Sequence, residues 1–236
     1  MIRQHQVAIF ISTGMCSDLR LWPYASPYTC ASEPCAVRIR LPTVTERLVT
    51  IQTLAMKTII PIAAVCNDMG IGVNGMLPWD LPKESDYYNR ITSDTKKGGK
   101  QNAVVMGRKT WNSLPGRLDG RYNVVLSRHL KERPTGVDLV ATSLVDAVKQ
   151  LSDPPLADKV DKVFILGGSG IYKESVESPL CFRIYLTRIM ADYECDTFFP
   201  EFNTNLFHLV SDPDVPCEIQ EEKGIQYKFE VYEKKV

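Results

Sequence analysis

The chain has no surplus of either charge: 28 Lys and Arg balance 28 Asp and Glu. Neutrality removes the long-range pull toward phosphate backbones and anionic lipid, so neither a nucleic acid nor a membrane is the expected partner. No apolar run approaches the ~20 residues that a bilayer-spanning helix needs. The seven cysteines (Cys16, Cys30, Cys35, Cys66, Cys181, Cys195 and Cys217) include no C-x-x-C pair and are odd in number. That pattern argues against a disulfide framework or a zinc site; no metal is expected, and a reducing compartment fits best. Internal repeats and low-complexity tracts are also absent.

Lysine is missing from the whole N-terminal quarter, the first being Lys57. Before it stand Arg3, Arg20, Arg38, Arg40 and Arg47 against Asp18, Glu33 and Glu46, so residues 1–56 carry 5 − 3 = +2 and the remainder −2. Sustained periodicity is missing there too, and "WPYASPYTCASEPC" reads as irregular chain. The apolar stretch "VAIFI" is shorter than the ~7–15 residues of a secretory core. Two readings stay open. Arginine-rich, acid-poor composition suits an organelle transit peptide, which would place the protein in mitochondria. Alternatively Met56, followed at once by "KTIIPIAAV", is the true start, and the protein is cytoplasmic. Either way residues 1–56 are expected to lack fixed structure, with a folded domain over 57–236.

What the chain does have is material for a core, 44% of it hydrophobic and 24% charged. From Thr58 onward short apolar runs alternate with helix-like segments. "TIIPIAAVC" (58–66), "NAVVMG" (102–107), "YNVVLS" (122–127), "VDLVA" (137–141) and "KVFILGG" (162–168) look like strands of a largely parallel sheet covered on both faces. "SLVDAVKQL" begins with a cap at Ser143 and spaces Leu144, Ala147, Val148 and Leu151 as one helical stripe. The tail instead alternates with period two. Ile225, Tyr227, Phe229 and Val231 face one way, and Gln226, Lys228 and Glu230 the other. That predicts a strand with one buried face, antiparallel to "CEIQEE" across a Lys223–Gly224 turn. The expected fold is α/β: three layers, a central mostly parallel twisted sheet of about eight strands with a C-terminal antiparallel hairpin, and about four flanking helices.

The stretch "GIGVNGMLPWDLPKE" (70–84) sets three glycines, two prolines and a tryptophan before a helix start. Asp80 is expected to cap that helix, with Pro82 tolerated in its first turn. Glu84, Tyr87, Tyr88 and Ile91 then share one face, opposite Lys83, Asp86, Asn89, Arg90 and Asp94. Glu84 therefore sits on the side that packs against the sheet, where an unpartnered carboxylate is costly. It is either a first-turn acid favoured by the helix dipole, with its head in water, or a carboxylate held for a ligand with paired N–H donors.

This run, together with "VVMGRKTWNSL", "VVLSR", "FILGGSGIY" and "LTRIMADYECDTFFPE", closely resembles the dihydrofolate reductase family, in order and at compatible spacing over about residues 58–236. The resemblance implies NADPH-dependent reduction of dihydrofolate by a monomer that needs no nucleic acid. It implies that Glu84 clasps the amidine-like edge of the pterin, oriented by Thr187, while a water carries the proton to the ring. The glycine-rich stretch would be a lid, with Leu77 and Trp79 as its apolar part. Substrate would also meet Ala63, Tyr88, Asn89, Leu114, Leu118 and Tyr172, with Arg121 gripping the α-carboxylate of the glutamate tail; read alone, Arg121 is a solvated strand-end charge.

For the cofactor the resemblance implies Ala64, Ile71, Gly72 and Gly75 beside the lid. Gly107, Arg108, Lys109 and Thr110 would open a short helix whose free N–H groups favour anions, with Leu126, Ser127 and Arg128 at the next strand end. Leu166, Gly167, Gly168, Ser169, Gly170, Ile171 and Tyr172 complete the set, Gly167–Gly168 being joined by a cis peptide. Two basic clusters at strand ends suit a dinucleotide bearing a 2′-phosphate, hence NADPH rather than NADH. Ser85 and Tyr88 depart from commonly apolar positions and predict a more polar pocket. Two alternatives remain: a pyrimidine reductase of riboflavin synthesis on the same fold, or a relative that binds folate or NADPH without turnover.

Overall fold

The computed structural model describes residues 56–235; the extension expected over 1–56 lies outside them apart from Met56. The apolar runs form the strands predicted for them: β1 (Ile59–Val65), β3 (Gln101–Gly107), β4 (Arg121–Leu126), β5 (Leu139–Ala141) and β6 (Val160–Ile165). With β7 (Arg183–Ile189) they make six parallel strands in the order β7-β1-β6-β3-β4-β5. Three antiparallel strands, β9 (Phe207–Val210), β10 (Gln220–Glu222) and β11 (Ile225–Lys234), extend the sheet beyond β7. A two-stranded sheet of β2 (Gly70–Gly72) and β8 (Thr197–Phe198) stands apart.

Alternation along each strand sorts residues between two helical layers. Ala63 and Val65 of β1, with Ala103 and Val105 of β3, pack in one cluster with Ala147, Val148 and Leu151 of α3 (Leu144–Ser152) and Val176 of α5 (Ser169–Glu177). Ile60, Ile62, Val104 and Met106 face the other way, toward Tyr87 and Ile91 of α1 (Pro82–Ser93). The Ser143 cap forms as expected, its hydroxyl accepting the Asp146 N–H at 3.1 Å. Two short helices, α2 (Arg108–Ser113) and α4 (Leu156–Lys159), complete the α/β architecture.

Two local expectations need correction. Asp80 does not cap α1: Leu81 is the residue before Pro82, with no side-chain cap, and Asp80 pairs instead with Lys223 across the hairpin. The hairpin strand β11 does not bury one face only. Glu230, expected outside, is 6% exposed because Arg188 of β7 and Lys228 both pair with it, while Tyr232 donates to it at 3.0 Å. The turn itself is as predicted. Lys223 and Gly224 both adopt positive φ (53° and 78°), the two-residue geometry that matches strand twist.

Candidate functional site: a buried carboxylate and a cationic cleft

Glu84 enters the interior because α1 starts only two residues before it. Pro82 supplies the first helical residue at no hydrogen-bond cost. The Lys83 N–H is taken by Glu222, whose Oε2 lies 3.0 Å away on the hairpin. Glu84 is 6% exposed, and the Thr187 hydroxyl donates to its Oε1 at 2.8 Å. Register delivers that hydroxyl: Thr187 on β7 lies between Ala64 of β1 and Phe229 of β11. Phe229 in turn stacks on Tyr87, centroids 3.7 Å apart, fixing the same helix face. Burial pushes the Glu84 carboxyl above the ordinary glutamate range; the Thr187 bond opposes this and the Glu222 charge adds to it. Among the described residues no cation pairs with Glu84. A desolvated acid with a neutral partner is suited to a ligand that brings its own N–H donors.

Arg121, at the start of β4, is also a buried charge, 6% exposed. It is therefore no solvated strand-end arginine. Its Nη1 donates to Thr92 Oγ1 (2.8 Å) and Asn89 Oδ1 (3.1 Å), and its Nε to the Asp119 carbonyl (3.1 Å). All three acceptors are neutral, no carboxylate pairs with the group among the described residues, and burial holds its pKa below the usual arginine value. Tyr88, half-buried on α1, feels both Arg121 and Glu84; burial raises its hydroxyl pKa further than these charges move it. Leu114 and Leu118 are half-buried against the same core cluster, and Ala63 is buried on β1.

The glycine-rich stretch is a small hairpin. Val73 and Met76 exchange backbone hydrogen bonds (2.9 and 3.0 Å) around Asn74 and Gly75, both at positive φ. Leu77, just after the closing residue Met76, is 56% exposed. Trp79 is instead packed inside, edge-on to Tyr193 at 5.5 Å, in a cluster with Cys66, Leu81, Ile189 and Tyr227. Its indole N–H is buried and meets no acceptor among the described residues.

At the C-terminal ends of the adjacent strands β6, β3 and β4 lies a cleft of ≈ 390 Å³. Gly107, Arg108, Lys109 and Thr110 form one wall, Leu126, Ser127 and Arg128 a second, and Gly168, Ser169, Gly170 and Ile171 a third. The last group includes the start of α5, which has no side-chain cap and so offers backbone donors. His129 also lines the cleft and was not anticipated; nothing in its sequence context marks it. Of the other residues expected at the cofactor, Ala64 and Ile71 are half-buried, Gly72 is buried, and Gly75 is exposed in the hairpin turn. Leu166, Gly167 and Tyr172 are not among the residues lining the cleft. The Tyr172 hydroxyl donates to the Ile62 carbonyl at 2.8 Å, and its ring lies so close to Gly167 that a Cβ there would meet it at 2.6 Å. Gly167 has φ +97°, and its bond to Gly168 is cis.

A family model described as dihydrofolate reductase matches residues 58–234. The dihydrofolate reductase of Gallus gallus is 50% identical over 186 residues, covering 77% of this chain and 98% of the relative. That of Sus scrofa is 52% identical over 178 residues, covering 73% and 96%. Among solved structures, Schistosoma mansoni dihydrofolate reductase superposes with a TM-score of 0.68 at 36% identity, covering 76% of this chain and 99% of the other.

Proposed function

The chain belongs to the dihydrofolate reductase family, and from that membership we infer an enzyme that reduces 7,8-dihydrofolate to 5,6,7,8-tetrahydrofolate with NADPH. The observation that carries the reading is Glu84: buried, hydrogen-bonded by Thr187, and without a cation among the described residues. Its two oxygens suit the paired N–H donors along the amidine edge of a pterin. Thr187 turns the carboxylate toward that edge. Charge-assisted bonds of this kind strengthen as positive charge builds on the ring, so Glu84 raises the basicity of the nitrogen that gains a proton. A water delivers that proton, and Leu77 and Trp79 are assigned to the apolar part of a lid that limits other solvent.

Arg121 is assigned to the α-carboxylate of the glutamate tail. A guanidinium already desolvated and held by three neutral acceptors has donors to give to an anion. This favours folate over a ribosylated pyrimidine, which has no such tail. Ala63, Tyr88, Asn89, Leu114, Leu118 and Tyr172 are assigned to the rest of the substrate.

The ≈ 390 Å³ cleft fits the phosphates of NADPH: three cations (Arg108, Lys109, Arg128) and an uncapped helix start surround it, and glycines keep its floor open. A Cβ on Gly107 would press the Ile171 side chain at 3.0 Å. When bound, NADPH supplies the hydride. The chain's part is to bind and orient. Arg108, Lys109, Thr110, Ser127 and Arg128 hold the phosphates, Gly168, Ser169 and Gly170 offer backbone donors, and Leu126, Leu166 and Ile171 give apolar contact. Ala64, Ile71, Gly72, Gly75, Gly167 and Tyr172 are assigned to the cofactor's path toward the pterin.

Among the described residues no helix is long and apolar enough to cross a membrane. We assign a monomer that acts in the cytoplasm without nucleic acid, and place the catalytic unit at residues 57–236. Removing residues 1–55 is expected to leave steady-state rates unchanged; a truncated chain that fails to fold would refute the boundary. The reaction is tested by loss of nicotinamide absorbance on adding dihydrofolate.

A further inference from the structure

The Sγ atoms of Cys66 and Cys195 lie 3.8 Å apart although the residues are 129 positions apart in the chain. Cys66 directly follows β1 and is 1% exposed; its thiol donates to the Asn67 carbonyl at 3.1 Å. Cys195 is half-buried and sits just before β8. Between them runs the first residue of the glycine-rich hairpin, Gly70, on which a Cβ would lie 2.6 Å from the Cys195 sulfur and 2.9 Å from that of Cys66. Any side chain at position 70 would force the sulfurs away, so glycine leaves them in open contact.

The surrounding backbone already joins the same two segments. Asn67 N–H donates to the Ala191 carbonyl (3.2 Å), Phe199 N–H to Met69 (2.8 Å) and Asp196 N–H to Gly72 (3.0 Å). The Asn67 side chain reaches Asp192 Oδ1 (2.8 Å), and Asp196 Oδ2 accepts the Asn74 N–H (2.8 Å). A covalent bond at this point would staple the base of the hairpin to the 191–199 segment. The sulfurs need to close by only about 1.8 Å to reach disulfide length.

We propose that Cys66 and Cys195 are a reversible oxidative modification site at the base of the hairpin, forming a disulfide on exposure to a hydroperoxide. The half-buried Cys195 sulfur attacks the peroxide O–O bond, which breaks to give the alcohol (water, for hydrogen peroxide) and a Cys195 sulfenic acid. The Cys66 sulfur then attacks the Cys195 sulfur. The sulfenic hydroxyl leaves with the Cys66 thiol proton as water, and two electrons have passed from the thiols to the peroxide. A small-molecule dithiol reverses the bond. Burial raises the Cys66 thiol pKa, with contact to Cys195 adding to the rise, which suits Cys66 to the resolving role rather than the first attack.

The test uses the full chain, oxidised with hydrogen peroxide at stoichiometric amounts, alkylated and digested. The expected result is one cross-linked peptide joining residues 66 and 195 as the main product, absent from Cys195→Ser and lost after dithiothreitol. Amide exchange at residues 70–76 of the oxidised protein should slow at least several-fold, an effect that Cys195→Ser abolishes. Neither readout depends on catalysis, so failure here leaves the assigned reaction standing. Cys66 and Cys195 recovered as separate thiols or as sulfinic acids, linkage to other cysteines, or unchanged exchange at 70–76 despite the cross-link would each overturn the proposal.

Discussion

The hydroxyl of Thr187 donates to Oε1 of Glu84 across 2.8 Å, tying the first turn of α1 to the sheet's parallel strand β7. The bond stabilises the ionised carboxylate against the burial that disfavours it. Replacing Thr187 by Val keeps the shape and removes the donor. The pKa of Glu84 should rise, and the pH profile of kcat/KM should move the same way. A profile identical to wild type would show that the hydroxyl does not set the state of the acid.

Burial of an unpaired carboxylate also costs stability. Because the folded-state pKa of Glu84 lies above its unfolded value, the protonated form favours folding. That contribution is complete below about pH 4.3, the ordinary glutamate value, and is lost as pH rises through the folded pKa. Glu84→Gln should therefore melt at or above the wild-type temperature near pH 7.5, with the gap narrowing in acid. Thermal unfolding at the two pH values checks this; a variant much less stable at pH 7.5 would mean that the carboxylate has a stabilising partner.

Glu222 acts on the same helix start from the hairpin. Its carboxylate accepts the Lys83 N–H and raises the Glu84 pKa through like charge. Glu222→Gln should lower that pKa. Glu222→Ala should in addition cost about 1 kcal/mol of stability, the usual worth of a helix N-cap. Denaturant unfolding and a pH–rate profile separate the two effects.

Arg121→Ala removes a buried cation whose protein acceptors are all neutral. On the folate reading its ligand's carboxylate would be left unpaired, a loss of about 2–5 kcal/mol. KM for dihydrofolate should rise at least about thirty-fold, with the KM for NADPH little changed. An unaltered KM for dihydrofolate would remove Arg121 from the substrate site.

Gly167 cannot take a side chain. A Cβ there meets the Tyr172 ring at 2.6 Å, and φ of +97° is strained for any L-residue. Gly167→Ala should lose about 1–3 kcal/mol of stability and weaken NADPH binding, measured by titration.

Much of this was legible in the sequence because it is local. Five of the six parallel strands follow from continuous apolar runs, β7 with its two arginines being the exception, the Ser143 cap from one hydroxyl before a periodic stripe, and the hairpin from Lys223–Gly224. The inward direction of Glu84 follows from its spacing to Tyr87 and Ile91. What was not legible depends on distant partners. Asp80 is a sound cap by its position, but Lys223, 143 residues on, takes its side chain. Glu230 follows the polar side of an alternating strand, yet Arg188 and Lys228 bury it in ion pairs. His129 reaches the cleft wall, and Cys66 reaches Cys195, only once the sheet has ordered its strands.

The most direct measurement is pre-steady-state oxidation of NADPH by wild-type protein and Glu84→Gln, each mixed with dihydrofolate across the pH range. The account predicts rapid loss of nicotinamide absorbance for wild type at neutral pH. For the variant it predicts a rate lower by about 10²–10⁴, with partial recovery in acid, where substrate arrives already protonated, and unaltered NADPH affinity. A variant as fast as wild type at neutral pH, or a wild type that leaves the cofactor unoxidised, would contradict it.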